Sequence, residues 1–170
     1  YELNLEGRPV WFSTSISPMD KDNTLWGAHD ITNRKQAEDA LRQSESKYRG
    51  LFDNIPDGIY RTTPDGHILT ANPALVKTLG YETEQELSEI NVETELYAHP
   101  TDREKFRRIL EEQGEIQNQE VTLRRKDGRE IVMLENSHAV RNGQGRIMYY
   151  EGTLTDITAL SRVVFVMKGG

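Results

Sequence analysis

A two-residue alternation opens the chain. Val10, Phe12, Thr14 and Ile16 fall on one side and Ser13, Ser15 and Ser17 on the other, which predicts a strand. Glu6-Gly7 precedes it as a turn, Pro18 to Asn23 is a polar loop, and Thr24 to Ala28 makes a second short strand. Two strands are marginal alone, so residues 1–32 need further strands to pair with. The period then changes. Ala37, Leu41, Ser44, Tyr48, Leu51 and Ile55 follow at spacings of four and three, the a/d seam of a helix over residues 33–54. Thr32 or Asn33 is placed to cap it. The seam fits an amphipathic linker helix lying on its own domain and equally a parallel two-stranded coil joining two protomers. Ser44 and Ala37 weaken its middle.

Pro56 stops that helix. Gly58 to Thr63 and His67 to Ala71 predict a hairpin around Pro64-Asp65-Gly66. Asn72 caps a short helix opened by Pro73, with Leu75, Val76 and Leu79 as its apolar face and Gly80 as its end. Thr83 to Leu87 starts another turn. Thr101 to Gly114 predicts the longest helix of this half, capped by Thr101 with Glu104 at the capping-box position and striped by Phe106, Ile109 and Leu110. Three strands follow: Gln119 to Arg125, Glu130 to Val140, and Arg146 to Asp156. Strands and helices are segregated, so the class is α+β, an antiparallel sheet covered on one face by helices.

The two ends of the chain echo each other. Gly7-Arg8 returns at Gly128-Arg129, and Asp30-Ile31-Thr32 at Asp156-Ile157-Thr158. Both stretches run turn, long strand, polar loop, strand, glycine (Gly27, Gly152), then Asp-Ile-Thr. A longer hairpin loop absorbs the difference in length. Residues 1–32 therefore read as the last two strands of an upstream copy whose front is missing.

Composition narrows the chemistry. The net charge is −7 over 170 residues, without the basic face that nucleic acid requires. Cysteine is absent, which removes disulfides, thiolate metal sites, cysteine nucleophiles and any cysteinyl-linked cofactor. The longest apolar run, Val163 to Met167, is far short of the ~20 residues that span a bilayer, and no signal-peptide pattern opens the chain. A start at Tyr1 reads as a piece of something longer, and a cytoplasmic location is expected. None of the four histidines has metal-ligand spacing. No phosphate loop, nucleophile elbow or kinase motif is present, so no catalytic residue is expected.

Five stretches in order resemble a known family. Ser46 to Tyr60 is similar to the opening of a PAS domain, as are Pro64 to Ala74 and Leu79-Gly80-Tyr81. His99-Pro100-Thr101-Asp102-Arg103 resembles the start of the long PAS helix. Arg125-Lys126-Asp127-Gly128 and Gly152 to Thr158 resemble its C-terminal PAC part. The resemblance covers residues 46–158 fully and 1–32 partly. It implies a five-stranded sheet in order 2-1-5-4-3 with helices enclosing a small-molecule pocket. It also implies a sensory role, typically in a two-component system ahead of a histidine kinase, or else of a diguanylate cyclase. Asp30, Thr32, Asp156 and Thr158 then mark the junctions where a sheet hands over to a helix, with Thr32 capping and Asp30 fixing the exit angle. Residues 159–170 depart from the pattern, and their role is left open.

The ligand-pocket candidates are Ile59, Asn72, Leu75, Phe106, Ile109, Leu123, Met133 and Tyr149, with Asn72 as the polar contact. The competing and favoured view is that these side chains simply fill the core. Glu135 and Asn136 are assigned to solvent or a partner. Haem would need a histidine on the long helix; His99 stands before it, where a loop role fits better. Noncovalent flavin gains no support, since Trp11 and Trp26 lie outside the complete copy. The expected partners are a second protomer along the seam Ala37, Leu41, Ser44, Tyr48 and Leu51, covalently adjoining signalling domains, and a small molecule. A ligand-free dimerisation spacer is the alternative.

Overall fold

The computed structural model describes residues 2–5, 7–18 and 23–158. The tail at 159–170 and most of the loop at 18–23 lie outside the described residues. Two compact units divide between Gly50 and Leu51.

The first unit is a three-stranded antiparallel sheet of β1 (Glu2–Leu5), β2 (Arg8–Pro18) and β3 (Thr24–Asp30), in that order. The sequence reading missed β1, because four residues are too few to display a period. Helix α1 (Thr32–Asn54) follows and contains no buried residue. The seam residues Leu41, Tyr48 and Leu51 are all well exposed.

The second unit is a five-stranded antiparallel sheet. Its strands are β4 (Gly58–Thr62), β5 (Ile68–Ala71), β6 (Glu115–Arg124), β7 (Glu130–Arg141) and β8 (Ile147–Asp156), in spatial order β5-β4-β8-β7-β6. Between the hairpin and the last three strands come α2 (Pro73–Leu79), α3 (Glu84–Ser88), a π-turn (Val92–Leu96) and α4 (Pro100–Gln113).

Local chemistry sets these boundaries. The side chain of Asn72 accepts from the Leu75 N–H at the start of α2, and Gly80 closes the helix at φ 82°, in the left-handed region glycine enters freely. At α3 the Thr83 hydroxyl accepts from the Glu86 N–H, and the Glu86 carboxylate accepts from the N–H of Glu82, one residue ahead of the cap. The capping expected of Thr101 does not occur. Pro100 already occupies the first turn of α4, so His99 is the cap residue, without a side-chain bond. Strand β6 starts four residues earlier than its alternation predicts. Asn118, at φ 51°, bulges there and shifts the register between Ile116 and Gln119, which hides the period.

The core lies between the sheet and the helices. One cluster gathers Leu75, Leu79, Leu87, Leu123, Met133 and Leu154, among others. A second joins Phe106, Leu110, Ile116 and Tyr150.

The two units pair their strands in the same register. Phe12 lies opposite Asp30, Thr14 opposite Ala28 and Ile16 opposite Trp26. Met133 lies opposite Asp156, Glu135 opposite Leu154 and Ser137 opposite Gly152. Trp26, not Gly27, therefore takes the place of Gly152, which corrects the glycine equivalence drawn from sequence. The error is one residue, absorbed where no alternation marks the strand.

Candidate functional site

The chemistry collects on the inner face of the five-stranded sheet. Gly58, Tyr60 and Thr62 of β4 point inward, as do Ile131, Met133, Glu135 and Ser137 of β7. They meet the buried face of α4, where Arg103, Phe106 and Leu110 share one stripe. A small cavity lies among them, lined by Tyr60, Thr62, Leu75, Tyr97, Arg103 and Glu135 with neighbouring apolar side chains. The space open to the centre of a water molecule is about 30 Å³. At roughly 10–15 Å³ per water, that admits one or two.

Glu135 is 3% exposed. The Tyr60 hydroxyl donates to its Oε1 at 2.5 Å, and the Ser137 hydroxyl does so at 3.3 Å. The two hydroxyls stand 2.6 Å apart. Burial raises the Glu135 carboxyl to about 7, because a charge in a low-dielectric interior loses its hydration. The bonds from Tyr60 and Ser137 and the charge of Arg103 oppose that rise without cancelling it. Burial, and then the Glu135 charge, push the Tyr60 phenol well above its ordinary range. Arg103 is 4% exposed. Its Nε lies 3.5 Å from Glu93 Oε1, and its guanidinium sits 4.9 Å from the ring centre of Phe106. Nε and Nη2 of Arg103 and Oγ1 of Thr62 are buried without a hydrogen-bond partner among the described residues. The arrangement can hold a water or a small polar group, and it can take up a proton near neutral pH.

Of the eight pocket candidates, Leu75 and Leu123 line this cavity. Ile59 and Tyr149 do not; each is one residue out of register with the inward side chain, Tyr60 and Tyr150 respectively. Tyr149 instead lies under the Arg61 guanidinium, 4.4 Å from its ring centre. Met133 is fully buried in the core without reaching the cavity, and Phe106 and Ile109 belong to the second cluster and a neighbouring crevice. Asn72 lies outside the lining of this cavity. Its oxygen accepts from the N–H groups of Ile59 and Leu75 and its nitrogen donates to the carbonyls of Phe52 and Asp57, so its polar atoms are engaged with backbone. Glu135, assigned to solvent or a partner from sequence, is the buried acid of the site. Sequence reasoning also missed Tyr60, Thr62, Tyr97 and Arg103. The alternation Met133, Glu135, Ser137 and the helical spacing of Arg103, Phe106 and Leu110 were the signals available.

The junctions are built alike. Asp30 Oδ1 accepts the Thr32 N–H at 2.9 Å, and the Thr32 hydroxyl accepts the Trp11 N–H at 2.9 Å. Asp156 Oδ1 accepts the Thr158 N–H at 2.9 Å, and the Thr158 hydroxyl accepts the Val132 N–H at 3.0 Å. Thr32 is thus a clasp to β2, not the helix cap expected. The Ile31 carbonyl takes the first helical bond, from the Lys35 N–H, and the bonds from Thr32 hold the Asp30 carboxyl below its usual range.

The family model described as PAS fold matches residues 46–157, well over half of the chain. The chain belongs to the PAS family. Residues 46–157 are its PAS sensor domain. A methyl sulfide methyltransferase-associated sensor of Methanosarcina acetivorans is 44% identical over 54 residues, 31% of this chain and 5% of that protein. The sensor histidine kinase TmoS of Ectopseudomonas mendocina is 36% identical over 59 residues, 35% of this chain and 6% of the kinase. The matches thus span about a twentieth of those relatives. A solved PAS domain from Colwellia psychrerythraea shares the fold, with a TM-score of 0.58 at 22% identity over 70% of this chain and 98% of that one. No described helix is long and apolar enough to cross a membrane.

Proposed function

We propose that this PAS module relays conformational change between covalently adjoining domains of a cytoplasmic signalling protein, with a histidine kinase as output. The observation that carries the reading is the clasp at Asp30, Thr32 and Trp11. It fastens β2, the middle strand of the first sheet, and the end of β3 to the first turn of a helix 23 residues long. A shift of the sheet must then move the helix or break the clasp, the kind of two-state element a signal can bias. The sensor and sensor kinase among its relatives support the placement in signalling. Thr32→Val in the longer polypeptide tests it, since the substitution keeps the shape and removes the acceptor. The expected result is a loss of signal-dependent autophosphorylation by about tenfold, the effect of ~1.4 kcal/mol in coupling, with circular dichroism unchanged. An unaltered response overturns the reading.

A ligand-free dimerisation spacer is favoured by a different observation: the small cavity together with the exposed Leu41, Tyr48 and Leu51 of α1. In that reading Ala37 and Ser44 complete the contact with a second protomer. Leu41→Asp with Tyr48→Asp should convert a dimer into a monomer in sedimentation. Unchanged sedimentation rejects the seam, and a small molecule retained in native mass spectrometry rejects the ligand-free spacer.

A further inference from the structure

We propose that the three-stranded sheet β1–β3 is the C-terminal part of a second PAS core. In this proposal its apolar face is closed by a segment of a longer polypeptide ahead of Glu2, with the chemistry of residues 51–114 of this chain. The relay reading is not needed for this.

Matching Trp11 to Val132 through the two clasps places Val10, Phe12, Thr14 and Ile16 where Ile131, Met133, Glu135 and Ser137 stand. Pairing across the hairpin then places Trp26 and Ala28 where Gly152 and Leu154 stand. Leu3, opposite Val10, takes the place of Leu123, opposite Ile131. In the complete domain these positions face the core: Leu123 is 1% exposed, Met133 0% and Ser137 5%. The counterparts of Leu123 and Ser137 are open, Leu3 at 44% and Ile16 at 70%, as is Trp26 at 59%, while Val10 and Phe12 are half-buried. Ile16 and Trp26 lie cross-strand on that face, a pairing that stabilises a sheet when it is covered and leaves apolar area in water when it is not.

Strand β8 lies between β7 and β4, whereas β3 pairs with β2 alone among the described residues. Strand β4 pairs with β8 from Gly58 opposite Leu154 to Thr62 opposite Tyr150. The equivalent partner would run antiparallel along Ala28 to Thr24. Such an edge, with Trp26 and Ala28 on one face, is a template for strand addition. Chain order names the source. The strands that pair beyond β8, namely β4 and β5, and the helices α2 to α4 that cover the inner face all precede β6 in sequence. The covering segment of the first sheet therefore precedes β1. It needs a strand for the β3 edge and apolar helix faces for Leu3, Ile16 and Trp26, and no cation for the Thr14 position.

Cysteine labelling tests this directly, because the chain has no cysteine of its own. Ile16→Cys and Ser17→Cys are compared in the 170-residue chain and in the longer polypeptide, with modification read peptide by peptide. Ile16→Cys should react about 100-fold more slowly in the longer polypeptide, as buried sites do when reached only through opening. Ser17→Cys, equivalent in register to the exposed His138, should change by less than about threefold. Equal reactivity of Ile16→Cys in both overturns the proposal. So does protection in the 170-residue chain that grows with its concentration, since the occupant would then be a second copy. Amide exchange on the unsubstituted proteins gives an independent reading. The Thr24–Ala28 amides should exchange at least about tenfold more slowly in the longer polypeptide, and no slowing overturns the inference.

Discussion

Strands β2 and β7 have the same register and the same clasp but opposite chemistry at their centres. Strand β7 carries Glu135 and Ser137 into a sealed interior, where Tyr60 meets both. Strand β2 carries Thr14 and Ile16 at those places, both exposed. Backbone pairing and the Asp-Ile-Thr ending do not depend on what fills the inner face. What the face can sense does. A buried acid with a carboxyl near 7 responds to protons; a threonine and an isoleucine do not. The same strand pairing can thus carry polar side chains on one sheet face and apolar ones on another.

The largest expected difference between the two sheets is in packing. Leu110→Ala removes a fully buried side chain and should destabilise the second unit by about 3–5 kcal/mol in urea unfolding. Ile16→Ala in the same chain should change stability by less than about 0.5 kcal/mol, as exposed substitutions do. Comparable losses at both sites would erase the contrast.

Proton linkage comes next. The Glu135 carboxyl is raised from 4.5 to about 7 on folding. Between those values the native state keeps a proton that the unfolded chain has released. Glu135 therefore lowers stability as pH rises from about 4.5 to about 7, and its contribution is flat above that. The total is on the order of 3 kcal/mol. Glu135→Gln keeps an acceptor for Tyr60 and should be more stable than the parent at pH 8 and close to it at pH 4.5. Urea midpoints at the two pH values check this. A constant difference between the proteins would place the acid outside the interior.

The clasps provide a finer comparison. Thr32→Val and Thr158→Val each remove one hydrogen bond to a strand N–H and should each cost about 1 kcal/mol. Amide exchange at Trp11 and Val132 should accelerate by similar factors. A response at one junction without the other would show that the matching geometry hides unequal strain.

Much of the fold was legible because its punctuation is local. Pro64-Asp65-Gly66, the Asn72 cap, Gly80 and the Asp-Ile-Thr endings are short-range chemistry, and the helical period of α1 spans its own length. The candidate site was less legible. Ile59 and Tyr60 are both bulky and adjacent, as are Tyr149 and Tyr150. Alternation by itself does not tell which of two such neighbours turns inward, and a slip of one residue exchanges the faces.

The sequence by itself determined the order of elements, their class and the family, since turns, caps and periods act over a few residues. The tertiary structure decided the parity of β4 and β8, the burial of Glu135 and the clasping role of Thr32. Each depends on a partner far along the chain. Tyr60 lies 75 residues from Glu135 and Trp11 lies 21 from Thr32. A carboxylate reads as a surface group until folding brings a phenol to meet it in a place water has left.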